Sequence, residues 1–177
     1  MDPLRKYEIA FVGLKDGVHE FQFDVDDQFF ENFKESLVEK GSVSVRLNFE
    51  KHSSFFMLHF HLSGKLPLPC DRCGVTINFP VETDNSVVIK FDQHREGDKD
   101  DSMADVIYID RNETHLSVAQ LIYEFISLSV PVNHITCDNL KGAKPCDEKV
   151  LERLHEKEKE MPRSDPRWEQ LRKIKFN

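Results

Sequence analysis

A period-two alternation of apolar and polar residues constrains this chain more than any other feature. Successive side chains of a strand point to opposite faces of a sheet, so each alternating run predicts a strand with one buried face. Most of the 14 phenylalanines fall in such runs, which predicts an aromatic sheet core. Between residues 7 and 92 the runs are YEIAFVG, VHEFQFDV, SVSVRLNFEKH, FFMLHFHLSGKLPLPC, VTINFPVE and NSVVIKFD.

The segments around these runs predict a hairpin, a helix and a further strand. YEIAFVG and VHEFQFDV flank the turn-like sequence LKDG, which favours a hairpin. Asp26 or Asp27 can cap a helix of about three turns that ends at Gly41. The sequence VIYID at 106–110 indicates a short strand.

A second helix is predicted within HLSVAQLIYEFISLSVP, residues 115–131. Ser117 and Gln120 have the spacing of a capping box, and Pro131 stops the helix. We expect this helix to pack on the sheet through the apolar residues that share one face, Val118, Leu121, Ile122, Phe125 and Ile126.

A Cys-x-x-Cys sequence, Cys70-Asp71-Arg72-Cys73, lies between two predicted strands and is followed by Gly74. Glycine permits the tight turn that such a motif needs. Structural zinc is bound by four Cys or His ligands, often arranged as two close pairs. Cys70 and Cys73 supply one pair.

The second pair of ligands is less regular. Cys137 and Cys146 are separated by eight residues, and His134 offers a tighter alternative as His-x-x-Cys. Structural zinc on all four cysteines and reduced cysteines without a metal both stay open. A redox pair is disfavoured, because the motif does not begin a helix that would lower a thiol pKa. Catalytic zinc is disfavoured because nothing marks a general base beside an open coordination position.

These elements together indicate the α+β class, with a curved antiparallel sheet of six to seven strands and two to three helices. The Cys-x-x-Cys lies at a hairpin tip. Residues 1–146 are predicted to form the α+β domain, and residues 147–177 a charged C-terminal helix with a basic tail. The loop 92–105 holds six acidic and two basic residues without apolar periodicity, so it is expected to be solvated.

No motif of a common enzyme class occurs in the sequence. There is no phosphate-binding glycine loop, nucleophile elbow or His-Glu-x-x-His helix. His59 and His61 alternate with apolar residues, which is typical of an exposed strand face; a metal pair is the alternative, but no third ligand stands nearby. The sequence predicts a protein that is not an enzyme and has no small-molecule substrate.

The charge balance limits the partners. A net charge of -8 and a pI near 5.5 disfavour a general nucleic-acid binder. The longest apolar-leaning segment is too short and polar to span a bilayer, so we expect no membrane partner, a cytoplasmic protein and reduced thiols. The tail after Pro162 is locally basic, and its cations could contact phosphate: Arg163, Arg167, Arg172, Lys173 and Lys175.

The order of these segments resembles the YceD family over about residues 1–175. The most specific motifs are Cys70–Cys73, the helix and its exit at 116–132, and the Asp-Pro-Arg-Trp sequence at 165–168. Cys70 and Cys73 match the family motif directly, whereas Cys137 and Cys146 match by region. The resemblance implies a factor for accumulation of large-subunit ribosomal RNA, without a known catalytic step. It implies a ribosomal protein of the large subunit, or its rRNA, as partner. A protein-interaction module with an unrelated client is the alternative.

Overall fold

The computed structural model describes residues 3–33, 38–91, 106–132, 135–140 and 145–160. The chain divides into two compact units. The first unit comprises Met1–Leu68 and Ile77–Asn133, and the second comprises Pro69–Thr76 and His134–Asn177. The domain boundary predicted between residues 146 and 147 stays a prediction.

The predicted α+β class is confirmed. The described strands are β1 Glu8–Ala10, β2 Gly17–Val25, β3 Ser42–Lys51, β4 Phe55–Pro69, β5 Thr76–Phe91, β6 Val106–Ile109 and β7 His115–Ser117. The described α-helices are α1 Asp27–Phe30, α2 Ala119–Leu128 and α3 Glu148–Glu160, and short 3-10 helices span Pro3–Tyr7 and Cys137–Asn139.

The seven described strands belong to two sheets. One is a five-stranded sheet in the order β2-β3-β4-β5-β6, and the other is the pair β1-β7. β3 pairs antiparallel with β2 and β4, whereas β6 pairs parallel with β5, Val88 lying opposite Val106. The large sheet is therefore open and mixed, while the prediction was a single antiparallel sheet.

The predicted hairpin between the first two strands is wrong. β1 pairs with β7, and β2 pairs along its whole length with β3. The β1-β7 register places Ile9 opposite Leu116, and both side chains are buried. The turn-like LKDG sequence separates β1 from β2, but it does not determine which strands pair.

The aromatic core follows from the alternation. On β4, Phe56, Leu58, Phe60 and Leu62 are each at most 1 % exposed, while the residues between them point to the other face. Phe56 packs edge-on against Phe91 with ring centroids 5.2 Å apart. One face of the large sheet is therefore apolar, and the opposite face carries the polar side chains of the same strands.

Helix α2 covers part of this core with the predicted apolar face. Its Leu121, Ile122 and Ile126 are buried, and the Phe125 ring lies 5.2 Å from that of Phe60. The helix ends at Leu128, before Pro131. Within the described ranges, every helix is too short or too polar to span a lipid bilayer.

The predicted capping box of α2 is wrong. The N-cap is Val118, which makes no side-chain cap hydrogen bond. Ser117 is instead the last residue of β7, where it lies opposite Glu8. Gln120 donates a hydrogen bond to Glu124 at 2.8 Å. Strand pairing keeps the Ser117 backbone extended and moves the helix start one residue along the chain.

The N-terminal cap of α1 is confirmed. The Asp26 carboxylate accepts a hydrogen bond from the backbone N–H of Phe29 at 3.1 Å. The predicted length of about three turns up to Gly41 is wrong, because α1 ends at Phe30 and residues 31–33 and 38–41 are not helical. Residues 34–37 lie outside the described residues. The acidic loop 92–105 also lies outside them.

Candidate metal centre

The Cys-x-x-Cys segment between β4 and β5 folds into a tight turn. The Cys70 N–H donates to the Val75 carbonyl at 2.9 Å, and the Gly74 N–H donates to the Cys70 carbonyl at 2.8 Å. Gly74 has a φ of 74°, a left-handed conformation that glycine adopts without steric cost. This turn buries both Cys70 and Cys73.

A second segment of the same unit is hydrogen-bonded to this turn. The backbone N–H of Asp71 donates to the Ile135 carbonyl at 2.8 Å. In return the backbone N–H of Ile135 donates to the Asp71 carboxylate at 2.7 Å. These two bonds hold the chain two residues before Cys137, so the 3-10 helix Cys137–Asn139 places its first thiol beside the other two.

Three buried thiols form one cluster. The Sγ atoms of Cys70, Cys73 and Cys137 all lie within 4.8 Å of one another. The Cys73 and Cys137 sulfurs are 3.7 Å apart, and neither residue is in a disulfide. Zinc–sulfur bonds of about 2.3 Å in a tetrahedron put two ligand sulfurs about 3.8 Å apart. The spacing and the soft thiol donors therefore fit a structural zinc ion.

The fourth cysteine lies next to this cluster. Cys146 is half-buried and contributes to the raised pKa of the Cys137 thiol, although its sulfur is not one of the three within 4.8 Å of each other. The Arg72 Nη2 lies 3.4 Å from the Cys146 Sγ, and its Nη1 donates to Asp138 at 2.9 Å. The Arg72 guanidinium therefore contacts both Cys146 and Asp138 of the second segment.

The electrostatics of the cluster favour ionisation of one thiol and oppose a second. Burial disfavours the Cys70 thiolate, but backbone hydrogen bonds from Cys73, Arg72 and Cys137 outweigh it and lower the Cys70 pKa to about 7. Burial, followed by hydrogen bonds to neighbouring thiols, raises the pKa of Cys137. Adjacent buried thiolates repel each other, so ionisation of the whole cluster needs a bound cation.

The structure brings some predicted site residues together and leaves others untested. Cys70, Cys73 and Cys137 lie close enough together to hold a metal ion, and the fourth predicted ligand, Cys146, is not part of that group. The four-cysteine ligand set stays a prediction. His134, the alternative ligand, lies outside the described residues. So does the basic tail with its five predicted phosphate contacts, Arg163, Arg167, Arg172, Lys173 and Lys175.

Sequence reasoning missed the two residues inside the motif. Asp71 fixes Ile135, and Arg72 reaches both Cys146 and Asp138. Their position between two cysteines was the available signal. The partners are distant in the chain, 64 residues for Asp71–Ile135 and 74 residues for Arg72–Cys146. Local spacing could therefore not identify them.

A family of known proteins matches most of the chain. The family described as "Large ribosomal RNA subunit accumulation protein YceD" matches residues 58–175, more than half of the chain. No curated protein and no solved structure matches it. The matched range contains all four cysteines, the whole of the segment Pro69–Thr76 and all but the last two residues of the segment His134–Asn177. The chain belongs to the YceD family.

Proposed function

We propose that this protein is a non-enzymatic factor that supports accumulation of large-subunit ribosomal RNA during ribosome assembly in the cytoplasm. The match to the YceD family over residues 58–175 carries the proposal. The family description names an RNA whose level depends on the protein and names no reaction. A protein of this kind acts through the partner that it binds, so the geometry of its surfaces and its bound metal matter more than a catalytic group.

We further propose that zinc is bound by Cys70, Cys73, Cys137 and Cys146, with His134 as the alternative fourth ligand. Zinc there has a structural role, because it adds metal–sulfur bonds to a small unit. The support is chemical: three buried sulfurs within 4.8 Å, one pair at 3.7 Å, and a guanidinium beside the fourth. Asp71 and Arg72 orient the two ligand segments through their hydrogen bonds.

The favoured partner is a basic ribosomal protein of the large subunit. The net charge of -8 and the acidic residues of 92–105 are complementary to such a protein. Complementary charge raises the association rate and suppresses wrong partners. The protein would then shield its client before the client meets RNA.

Direct contact with rRNA is the second route to the same function. The five cations of the tail, Arg163, Arg167, Arg172, Lys173 and Lys175, would bind phosphate without reading sequence. Each phosphate contact makes the slope of log affinity against log salt concentration more negative by about 0.7–0.9. The net charge of the whole chain makes this route the less favoured one.

The first experiment is depletion of the protein in cells, with measurement of the ratio of large- to small-subunit rRNA and of the sucrose-gradient profile. We expect a selective fall of large-subunit rRNA and sedimentation of the protein with pre-ribosomal particles. An unchanged ratio, with the protein only in light fractions, would overturn the proposal. It would favour an acidic protein-interaction module with a client unrelated to ribosomes.

Rescue with variants separates the two routes. One variant changes the six acidic residues of 92–105 to their amides, and the matched variant changes the five tail cations to Gln. On the protein route, the loop variant fails to restore large-subunit rRNA and the tail variant succeeds. The reverse result would assign the function to the tail and its contact with RNA.

A further inference from the structure

The polar face of the five-stranded sheet holds two rows of side chains that cross the strands. Arg46 lies opposite His61, and Asn48 lies opposite His59. Gln22 and Glu20 of β2 extend these two rows on one side. Together with residues of β5 these side chains line a groove of about 620 Å³. The groove lies entirely within the first unit, and no residue of the cysteine cluster lines it.

Both histidines of the groove are fixed by β5 through the same ring atom. The Nδ1 of His61 lies 2.8 Å from a carboxylate oxygen of Asp84. The Nδ1 of His59 lies 2.9 Å from the Ser86 hydroxyl oxygen. A carboxylate only accepts hydrogen bonds, so the His61 Nδ1 carries the proton and a neutral ring presents its lone pair at Nε2. Metal-binding histidines are oriented in this way by a carboxylate or another acceptor on the second ring nitrogen.

Both imidazoles lie on the same face of the sheet and are accessible to solvent. His59 and His61 are two residues apart on β4, so their side chains project from the same face of the sheet. His59 is exposed, and the His61 side chain is 31 % exposed, so an ion can reach both rings from solvent. Imidazole nitrogen is a preferred ligand of zinc, copper and nickel.

The charge of the groove permits a cation. Two carboxylates, Glu20 and Asp84, and one guanidinium, that of Arg46, line the groove. Neutral histidines leave the groove with a formal charge of -1, from two negative groups and one positive group. The positive charge of Arg46 repels a cation that binds near it, but the net negative charge of the groove is compatible with cation binding.

From this geometry we propose that His59 and His61 form a bidentate surface site for a divalent transition-metal ion, with Asp84 and Ser86 as positioning residues. Water completes the coordination of the ion. This site is separate from the cysteine cluster and does not depend on whether the cluster binds zinc.

The test is a titration of the full-length protein with zinc, followed by the ¹⁵N resonances of the imidazole rings in NMR spectra. These resonances report the histidine site directly, even while the cysteines bind zinc of their own. We expect the Nε2 signals of His59 and His61 to shift together along one binding curve. No shift of either signal, or separate curves for the two rings, would overturn the proposal.

Variants make the test specific for chelation. His59→Gln and His61→Gln each leave one ligand, so the affinity measured at the remaining ring should fall about 100-fold because the second contact is no longer intramolecular. His19→Gln is the matched control, because it removes an imidazole that lies beside the Lys15 carbonyl and outside the groove. It should leave the curve unchanged. An unchanged affinity of the remaining ring after either groove substitution would contradict the shared site.

Asp84→Ala tests the positioning role. Loss of the acceptor for the His61 Nδ1 should weaken zinc binding about tenfold without removing a ligand. The amide spectrum of the variant should otherwise match that of the unsubstituted protein. An unchanged zinc affinity would show that Asp84 does not orient the ring.

Discussion

The first unit buries rows of large apolar side chains, whereas the second unit buries thiols. Three aromatic side chains of the first unit are at most 1 % exposed: Phe49, Phe56 and Phe60. Phe49 packs against Phe56, and Phe60 packs against Phe125. In the described part of the second unit, the buried side chains are Ile135 and three cysteines, Cys70, Cys73 and Cys137. Hydrophobic burial can stabilise the first unit. The second unit buries too few side chains to be stable through hydrophobic burial alone. It needs additional interactions, as small metal-binding and disulfide-linked proteins do.

Hydrogen bonds supply some of those links. The paired bonds between Asp71 and Ile135 and the contacts of Arg72 with Asp138 and Cys146 join segments distant in sequence. Each hydrogen bond contributes only about 1 kcal/mol net. Metal binding can stabilise the second unit by several times the free energy of one hydrogen bond. Substitutions in the apolar core and in the thiol cluster therefore test the two units separately.

The largest expected effect is the loss of an aromatic side chain from the first unit. Phe60→Ala removes a fully buried ring that packs on Phe125, which should lower the unfolding free energy by about 3–5 kcal/mol. Urea unfolding measures this change. The control is Tyr108→Ala, where the side chain is 49 % exposed and we expect a change below about 0.5 kcal/mol. Similar losses for both variants would contradict an aromatic core as the main source of stability.

Zinc removal should act on the second unit. At a free zinc concentration a thousand times the Kd, binding stabilises the folded form by about 4 kcal/mol. A chelator should therefore speed hydrogen exchange at the Asp71 and Ile135 amides, which report this unit. The Val118 amide of the first unit, bonded to the Tyr7 carbonyl, is the internal control.

Cys137→Ser should abolish this response to the chelator, because serine does not supply the thiolate that zinc binds. The metal content of the purified protein should fall as well. Equal exchange rates with and without chelator in the unsubstituted protein, together with no measurable zinc, would show that hydrogen bonds alone hold the second unit.

High pH should weaken the first unit through one buried hydroxyl. The Tyr7 O–H donates to the Asp24 carbonyl at 2.9 Å, and burial, followed by the charges of Asp26 and Asp24, raises the Tyr7 pKa to about 12. Because the folded protein retains this proton longer than the unfolded chain, the contribution is complete below pH 10 and is lost as the pH rises to about 12. The full difference corresponds to about 3 kcal/mol.

Tyr7→Phe isolates this contribution. The gap in unfolding free energy between the unsubstituted protein and the variant should narrow as the pH rises from about 10 to 12, and urea unfolding over this range measures it. A constant gap over the same range would mean that ionisation of Tyr7 is not coupled to folding.

The smallest expected effect concerns the turn of the Cys-x-x-Cys. An added Cβ at Gly74 meets no atom within 4 Å, so the cost of Gly74→Ala comes only from its φ of +74° and should be about 1 kcal/mol. Gly13→Ala also meets open space and has no positive φ, so it should change stability by only a few tenths of a kcal/mol. Amide exchange at Asp71 and urea unfolding measure the two changes. Equal costs would exclude backbone strain as the reason for glycine in this turn.

The period of the sequence was sufficient to predict the strands and their buried faces. The alternation around Leu58, Phe60 and Leu62 predicted a half-buried strand, and β4 shows that pattern. Similarly, the apolar face of α2 was correct, because helical spacing places Leu121, Ile122 and Ile126 on one side. Patterns of this kind depend on local geometry, which the sequence contains directly.

Pairing and capping were harder to predict, because they depend on distant residues. β1 was expected beside β2 but pairs with β7, where Ile9 meets Leu116. The same pairing keeps Ser117 extended and removes it from the predicted cap. Turn residues indicate where a strand ends. The partner with which that strand pairs depends on the free energy gained by burying side chains.

The cysteines show most clearly the difference between features that local sequence predicts and features that long-range contacts determine. The local sequence was enough to predict that Cys70 and Cys73 lie on a tight turn, because two cysteines and a glycine at this spacing restrict the backbone. The position of Cys137, 3.7 Å from Cys73, follows from long-range contacts, since Asp71 and Ile135 join segments that are 64 residues apart. The physical reason is that contacts over such distances in the chain depend on the packing of the whole unit, which no local spacing of residues encodes.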